Sequence, residues 1–184
     1  MTKKLTEMSI EELWRLFPIT LSRHKSYWGE WYALEAKELG KILPESRAIY
    51  HIGSTAIKGI AAKPIVDILA VFPKECDLPS AAEKLQSHGY LIMSKSADRI
   101  SLNKGYTENG YAEKVFHLHL QRGAIIDEVY FRDWLNLNAD AAREYEALKL
   151  SLWKKYEYDR DAYTQAKSDF VNKYTEIAKR NIRV

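Results

Sequence analysis

The chain has 184 residues, 46% of them hydrophobic and 29% charged, enough to bury one sizeable core and too few for two ordinary domains, so a single domain over residues 1–184 is expected. Its 28 basic and 25 acidic side chains leave a net charge of +3, far from the concentrated positive field of a nucleic-acid binder, and no run of about 18 apolar residues offers a membrane span. Neither nucleic acid nor a membrane is therefore expected as a partner; Met1–Glu7 is read as no secretory signal, and the single cysteine, Cys76, excludes an intrachain disulfide and fits a reducing, cytoplasmic setting.

Ser9-Ile10-Glu11-Glu12 reads as a capping box before a short helix that Pro18 ends. From about His24 to Leu43, Trp28, Trp31, Leu34, Leu39 and Ile42 recur near helical spacing and predict one long amphipathic helix lying on a sheet. Ala48–Ile52 has the composition of a short strand, closed by Gly53-Ser54-Thr55. Lys63-Pro64 then introduces Ile65–Phe72, an almost continuous apolar run of the kind a strand covered on both faces requires.

Asp77 to His88 reads as a helix with Pro79 in its first turn and Gly89 at its end. Tyr90–Met93, Arg99–Asn103 and Lys114–Gln121 are expected strands, with a turn over Gly105–Gly110. Two or three helices are expected to fill Asp127–Arg180. The order of helix, strands, then helices predicts an α+β domain, a mixed sheet with an N-terminal helix and a C-terminal helical layer.

Two features point to chemistry. Gly53-Ser54-Thr55 directly after a strand can bring backbone amides and two hydroxyls close to an anion, although such a triplet also serves as an ordinary turn. Asp67 is the one carboxylate in an apolar strand, costly to bury unless it pairs, binds a metal or faces a wet cleft; a salt bridge to Lys63 would satisfy it with no catalytic role. His117 and His119, two apart on an expected strand, point to one face, and His51 can join from its own strand. Arg132 can offer a forked cation to phosphate or form an ion pair, whereas Lys149, Lys154, Lys155 and Lys167 read mainly as solvated helix faces, Lys167 alone being placed to close a cleft.

His51-Ile52-Gly53-Ser54-Thr55 followed by Ala62-Lys63-Pro64-Ile65-Val66-Asp67 resembles the signature of the GrpB family, and His117-Leu118-His119, Phe131–Leu135, Tyr145–Lys149 and Tyr163–Phe170 resemble its later blocks in the same order. The resemblance runs from Phe17 to Val171 and implies a nucleotidyltransferase-like fold. It further implies that His51, Gly53, Ser54, Thr55, Lys63 and Arg132 bind phosphate or nucleotide, and that Asp67, with His117 and His119, is catalytic and holds magnesium or manganese. The implied function is metal-assisted nucleotidyl or phosphoryl transfer from a nucleotide or phosphorylated small molecule. Two alternatives stand beside it, a phosphate-binding module without turnover and a His/Asp metal-dependent hydrolase. The chain departs from the nucleotidyltransferase pattern where Ile65 and Leu69 flank Asp67 in place of a second carboxylate, and from the family's in carrying Lys58 where proline is usual.

Overall fold

The computed structural model describes residues 3–124 and 126–181; Met1 and Thr2 of the N-terminal segment read above lie outside the described residues. A five-stranded sheet in the order β1-β2-β5-β4-β3 is built from Ala48–Ile52 (β1), Val66–Phe72 (β2), Leu91–Lys95 (β3), Arg99–Thr107 (β4) and Gly110–Arg122 (β5). β2 and β5 run parallel and the remaining pairs antiparallel, so the sheet is mixed as expected. The helices are α1 (Ile10–Leu16), α2 (Tyr27–Ile42), α3 (Leu78–Gln86), α4 (Asp127–Leu137), α5 (Ala139–Lys155), α6 (Arg160–Gln165) and α7 (Ser168–Asn181). None of the described helices is long and apolar enough to cross a membrane.

The two faces of the sheet have different partners. Ile68, Ala70, Leu118, Leu120, Ile100 and Leu102 bury one face against Trp28 and Leu39 of α2, Leu43 just after it, and α3. Because β2 alternates, Asp67, Leu69 and Val71 look the other way, where Leu69 and Val71 meet Ile52 and Val129 of α4. Every residue of β2 is buried except Asp67. The C-terminal helices thus form a layer over the face that carries the carboxylate.

Three local features differ from expectation. Among the described residues the C-terminal region holds four helices, because Asn138, the Tyr156–Asp159 stretch and Ala166-Lys167 each interrupt the helical register, and Asp159 caps a new start by accepting from the Ala162 amide at 2.9 Å. The expected turn over Gly105–Gly110 is strand on both sides of a tight reversal at Glu108-Asn109. Gly105 instead marks a β-bulge, with φ at +90° and a position where a Cβ would stand 2.3 Å from the Lys114 carbonyl oxygen. Ser9 does cap α1, accepting from the Glu12 amide while Glu12 accepts from the Ser9 amide.

Candidate functional site

Strand register brings the site together. Asp67 stands opposite Ile52 on β1 and His117 on β5, and His117 stands opposite Asn103 on β4, so a polar row crosses the middle of an apolar sheet. The His117 Nδ1 donates to Asp67 Oδ1 at 3.1 Å, and its Nε2 bonds the Tyr106 hydroxyl at 2.8 Å. Burial pushes the Asp67 carboxyl up, but the hydrogen bond and charge of His117, with His119 and Lys63 further off, overcome this and hold it below its ordinary value. Asp67 therefore stays ionised, and 28% of its side chain reaches the cavity above it.

Gly53 follows β1 with φ at +70°, and a Cβ there would stand 2.3 Å from Asp67 Oδ2. Only glycine lets the chain turn so close to the carboxylate. The residues after it form a 3-10 turn, Ser54–Ala56. Tyr145 of α5 comes down onto this turn; burial holds its phenol up at about 12, with Ser54 lowering it in part.

Asp67, Gly53, Ser54 and His117 line a cavity of about 820 Å³ that Lys63, Lys149, Arg160 and Lys167 also enter. Lys149 is 1% exposed, and its ammonium donates to the Ala61 carbonyl and lies 4.8 Å from the centre of the Tyr145 ring. Lys167 sits 4.0 Å from the centre of the Tyr163 ring and Lys63 5.6 Å from it. Among the described residues none of the four cations forms an ion pair. Burial pushes Lys149 and Lys167 down to about 7 and Lys63 to about 8, and the mutual repulsion of these cations lowers Lys167 further. Glu146, one residue on from Tyr145, accepts from the Ala61 amide at 2.5 Å, so α5 holds the Ala61 peptide by both its amide and its carbonyl.

Several expected site residues are placed elsewhere. His51 opposes Ile68 and so points to the α2 face, where it stacks on Tyr32 with ring centres 4.7 Å apart. Its Nε2 lies 3.0 Å from the Thr55 hydroxyl, which donates to the Ile65 carbonyl, so the His51 ring and the Thr55 hydroxyl fasten the turn, Thr55 itself remaining among the residues that line the Asp67 cavity. Arg132 donates to the His51 carbonyl at 2.7 Å and pairs with Asp133 at 2.6 Å, which commits its guanidinium away from the cavity. His119 shares Asp67's sheet face but lines a second cavity of about 460 Å³ with Asp127, Glu128 and Glu176. Its Nδ1 meets the Ser101 hydroxyl at 3.0 Å, and burial lowers it to about 4. The alternative of a salt bridge from Lys63 to Asp67 is not formed, His117 taking that place.

Sequence reading passed over Arg160, Tyr106 and Asn103 and assigned Lys149 to solvent. A signal for Lys149 existed, since Ala142, Tyr145 and Lys149 follow at three and four residues and share the buried stripe of α5.

A metal is tested by the donors available. Both ring nitrogens of His117 are engaged, His119 faces the other cavity, and among the described residues no three His, Cys, Asp or Glu side chains group to hold an ion. The expected ligand set of Asp67, His117 and His119 is therefore not assembled. Asp67 Oδ2 and the Ser54 hydroxyl remain as oxygen donors, a set that fits a magnesium or manganese ion arriving with phosphates and waters and does not fit an ion held by protein alone.

The GrpB protein family profile matches residues 18–177. The glutamate-rich protein GrpB of Alkalihalophilus pseudofirmus is 34% identical over 160 residues, spanning 84% of this chain and 92% of the relative. A UPF0157 protein of Pseudomonas aeruginosa is 34% identical over 148 residues, 78% of this chain, which spans only 61% of that relative's length. The crystal structure of the conserved protein GrpB from Enterococcus faecalis superposes with a TM-score of 0.75 at 26% identity, covering 86% of this chain and 96% of that one.

Proposed function

We propose, for a chain that belongs to the GrpB family, that the Asp67 cavity binds the phosphates of a nucleotide or other phosphorylated small molecule and transfers a nucleotidyl or phosphoryl group to an acceptor. One observation carries this reading: four basic side chains, Lys63, Lys149, Arg160 and Lys167, converge on one cavity in which Asp67 is the carboxylate they share, and none of them forms a salt bridge among the described residues. Holding such charges unpaired and partly buried costs several kcal/mol, and a polyanion is the partner that offsets it.

Each residue then has a task. The cations neutralise phosphate oxygens, Gly53 leaves room for close approach beside Asp67, and the Ser54 hydroxyl, which also meets the Tyr145 phenol, lines the same cavity. His117 positions Asp67 and keeps it ionised, with Tyr106 fixing the ring from its far side. Asp67 and Ser54 would hold magnesium or manganese, which when bound supplies further charge neutralisation at the transferring phosphate.

Calorimetry with tripolyphosphate and nucleoside triphosphates, with and without magnesium or manganese, tests binding, and phosphorus NMR of the mixtures tests turnover. Metal-dependent binding followed by a new phosphorus species is expected. Binding with no product supports a second reading, a phosphate-binding module, which the single carboxylate between Ile65 and Leu69 favours. Failure of every polyphosphate to bind overturns both.

A further inference from the structure

The cavity continues beyond its charged floor. Leu5, Ile10, Leu13 and Trp14 of the N-terminal segment line it on one side, and Leu91 and Met93 of the edge strand β3 on the other. Ile10 is 52%, Leu91 45% and Met93 57% exposed, so large apolar side chains are left in water along one mouth of the site. α1 buries none of its residues. It is fixed instead through Phe17, 3% exposed, whose ring lies 4.7 Å from Tyr106 and 5.0 Å from Tyr111. Since Tyr106 bonds His117, the apolar wall runs without a break into the Asp67–His117 pair.

The chemistry of this wall differs from that of a nucleobase site. Reading a base edge needs fixed donors and acceptors in the plane of the ring; the Thr6 hydroxyl, the Trp14 indole and the Gln86 and Asn103 amides border this part of the cavity, while Leu5, Ile10, Leu13, Leu91 and Met93 give the wall a mainly hydrocarbon and thioether surface. Residues Leu5 to Phe17 also precede residue 18, where the family match begins. A cationic floor joined to an aliphatic wall is complementary to a molecule that is anionic at one end and apolar at the other.

We infer that the phosphorylated ligand of this cavity is an aliphatic phosphate ester whose hydrocarbon arm lies between α1 and β3. The inference rests on the phosphate reading above and narrows its ligand class.

The test uses calorimetry on the full chain with tripolyphosphate, methyl, butyl, hexyl and octyl phosphate, all below their aggregation concentrations, and with adenosine and uridine monophosphate for comparison. Affinity should rise about two- to fourfold per added methylene, as burial of hydrocarbon dictates. Met93→Ser and Leu13→Ser should each lower octyl phosphate affinity at least threefold and leave methyl phosphate and tripolyphosphate within twofold. Met93 is exposed, so its variant folds even if the Leu13 variant does not. A flat alkyl series with tripolyphosphate still bound overturns the aliphatic arm while the phosphate reading stands. A nucleoside monophosphate that outbinds octyl phosphate and is weakened by Met93→Ser overturns it as well, by making the wall a base site. Loss of tripolyphosphate binding to the unaltered chain removes the phosphate reading itself.

Discussion

Two cavities share one face of the sheet and three of the same residues, Gly53, Asp67 and Tyr145, yet they treat charge in opposite ways. In the smaller one the acids are answered: Lys179 pairs with Asp127 at 2.9 Å and Glu176 at 3.1 Å, and Arg99 pairs with Glu128 at 2.7 Å. In the larger one Lys63, Lys149, Arg160 and Lys167 have no ion-pair partner among the described residues, and Lys149 is fully buried. Paired charges at a rim add little to stability and ask for nothing more. Unpaired buried ones lower the stability of the empty protein, and a fold retains them where a ligand completes the balance.

Asp67→Asn attacks the wall between the two cavities and should have the greatest consequence. If transfer occurs, its rate should fall roughly 100-fold or more, while circular dichroism reports an intact fold; an unchanged rate would detach the carboxylate from the chemistry. Gly53→Ala forces a Cβ against Asp67 Oδ2 at a positive φ and should cost about 2 kcal/mol or more in a denaturant titration, with tripolyphosphate binding weakened on whatever remains folded.

Lys149→Met sharpens the contrast directly. Removing an unpaired buried ammonium should stabilise the ligand-free chain by about 1–2 kcal/mol at pH 6 and weaken tripolyphosphate binding about tenfold or more, the two effects having opposite sign. Lys149 falls to about 7 in the folded chain from an ordinary 10.5, so the unfolded chain binds more protons across that interval. Ligand-free stability should accordingly rise from pH 7 towards 10.5, the full penalty standing below 7, and the variant should show a shallower rise. Glu176→Gln in the smaller cavity removes one of two partners of Lys179 and should change stability by no more than about 0.5 kcal/mol, with tripolyphosphate affinity unaltered.

The parts of this site visible in the sequence are those where a residue breaks the pattern around it. Asp67 interrupts an apolar strand and Gly53-Ser54 ends one, and both lie on the cavity. His117 and His119 alternate onto Asp67's face as strand geometry requires, but strand geometry alone does not say that they enter different cavities. The lysines were hidden by their own type: a helical pattern counts lysine as polar and sends it to solvent, whereas the ring of Tyr145 and the Ala61 carbonyl receive Lys149 inside. The bulge at Gly105 was hidden for a similar reason, since glycine marks a turn and a bulge alike until the partner strand is known.

The double hold on the Ala61 peptide has a mechanical consequence. Glu146 lies 85 residues along the chain from Ala61 and Lys149 88, and together they clasp the end of a segment between β1 and β2 that is also held by a β-bridge from Ala62 to Ser22 and by Asn136 of α4, which accepts from the Lys58 amide and donates to the Ala56 carbonyl. The Ala61 amide should therefore exchange its hydrogen at the rate at which α5 lifts off this segment, much slower than the exposed amide at Gly59, and loosening α5 should release Ala61 and the helix in one step.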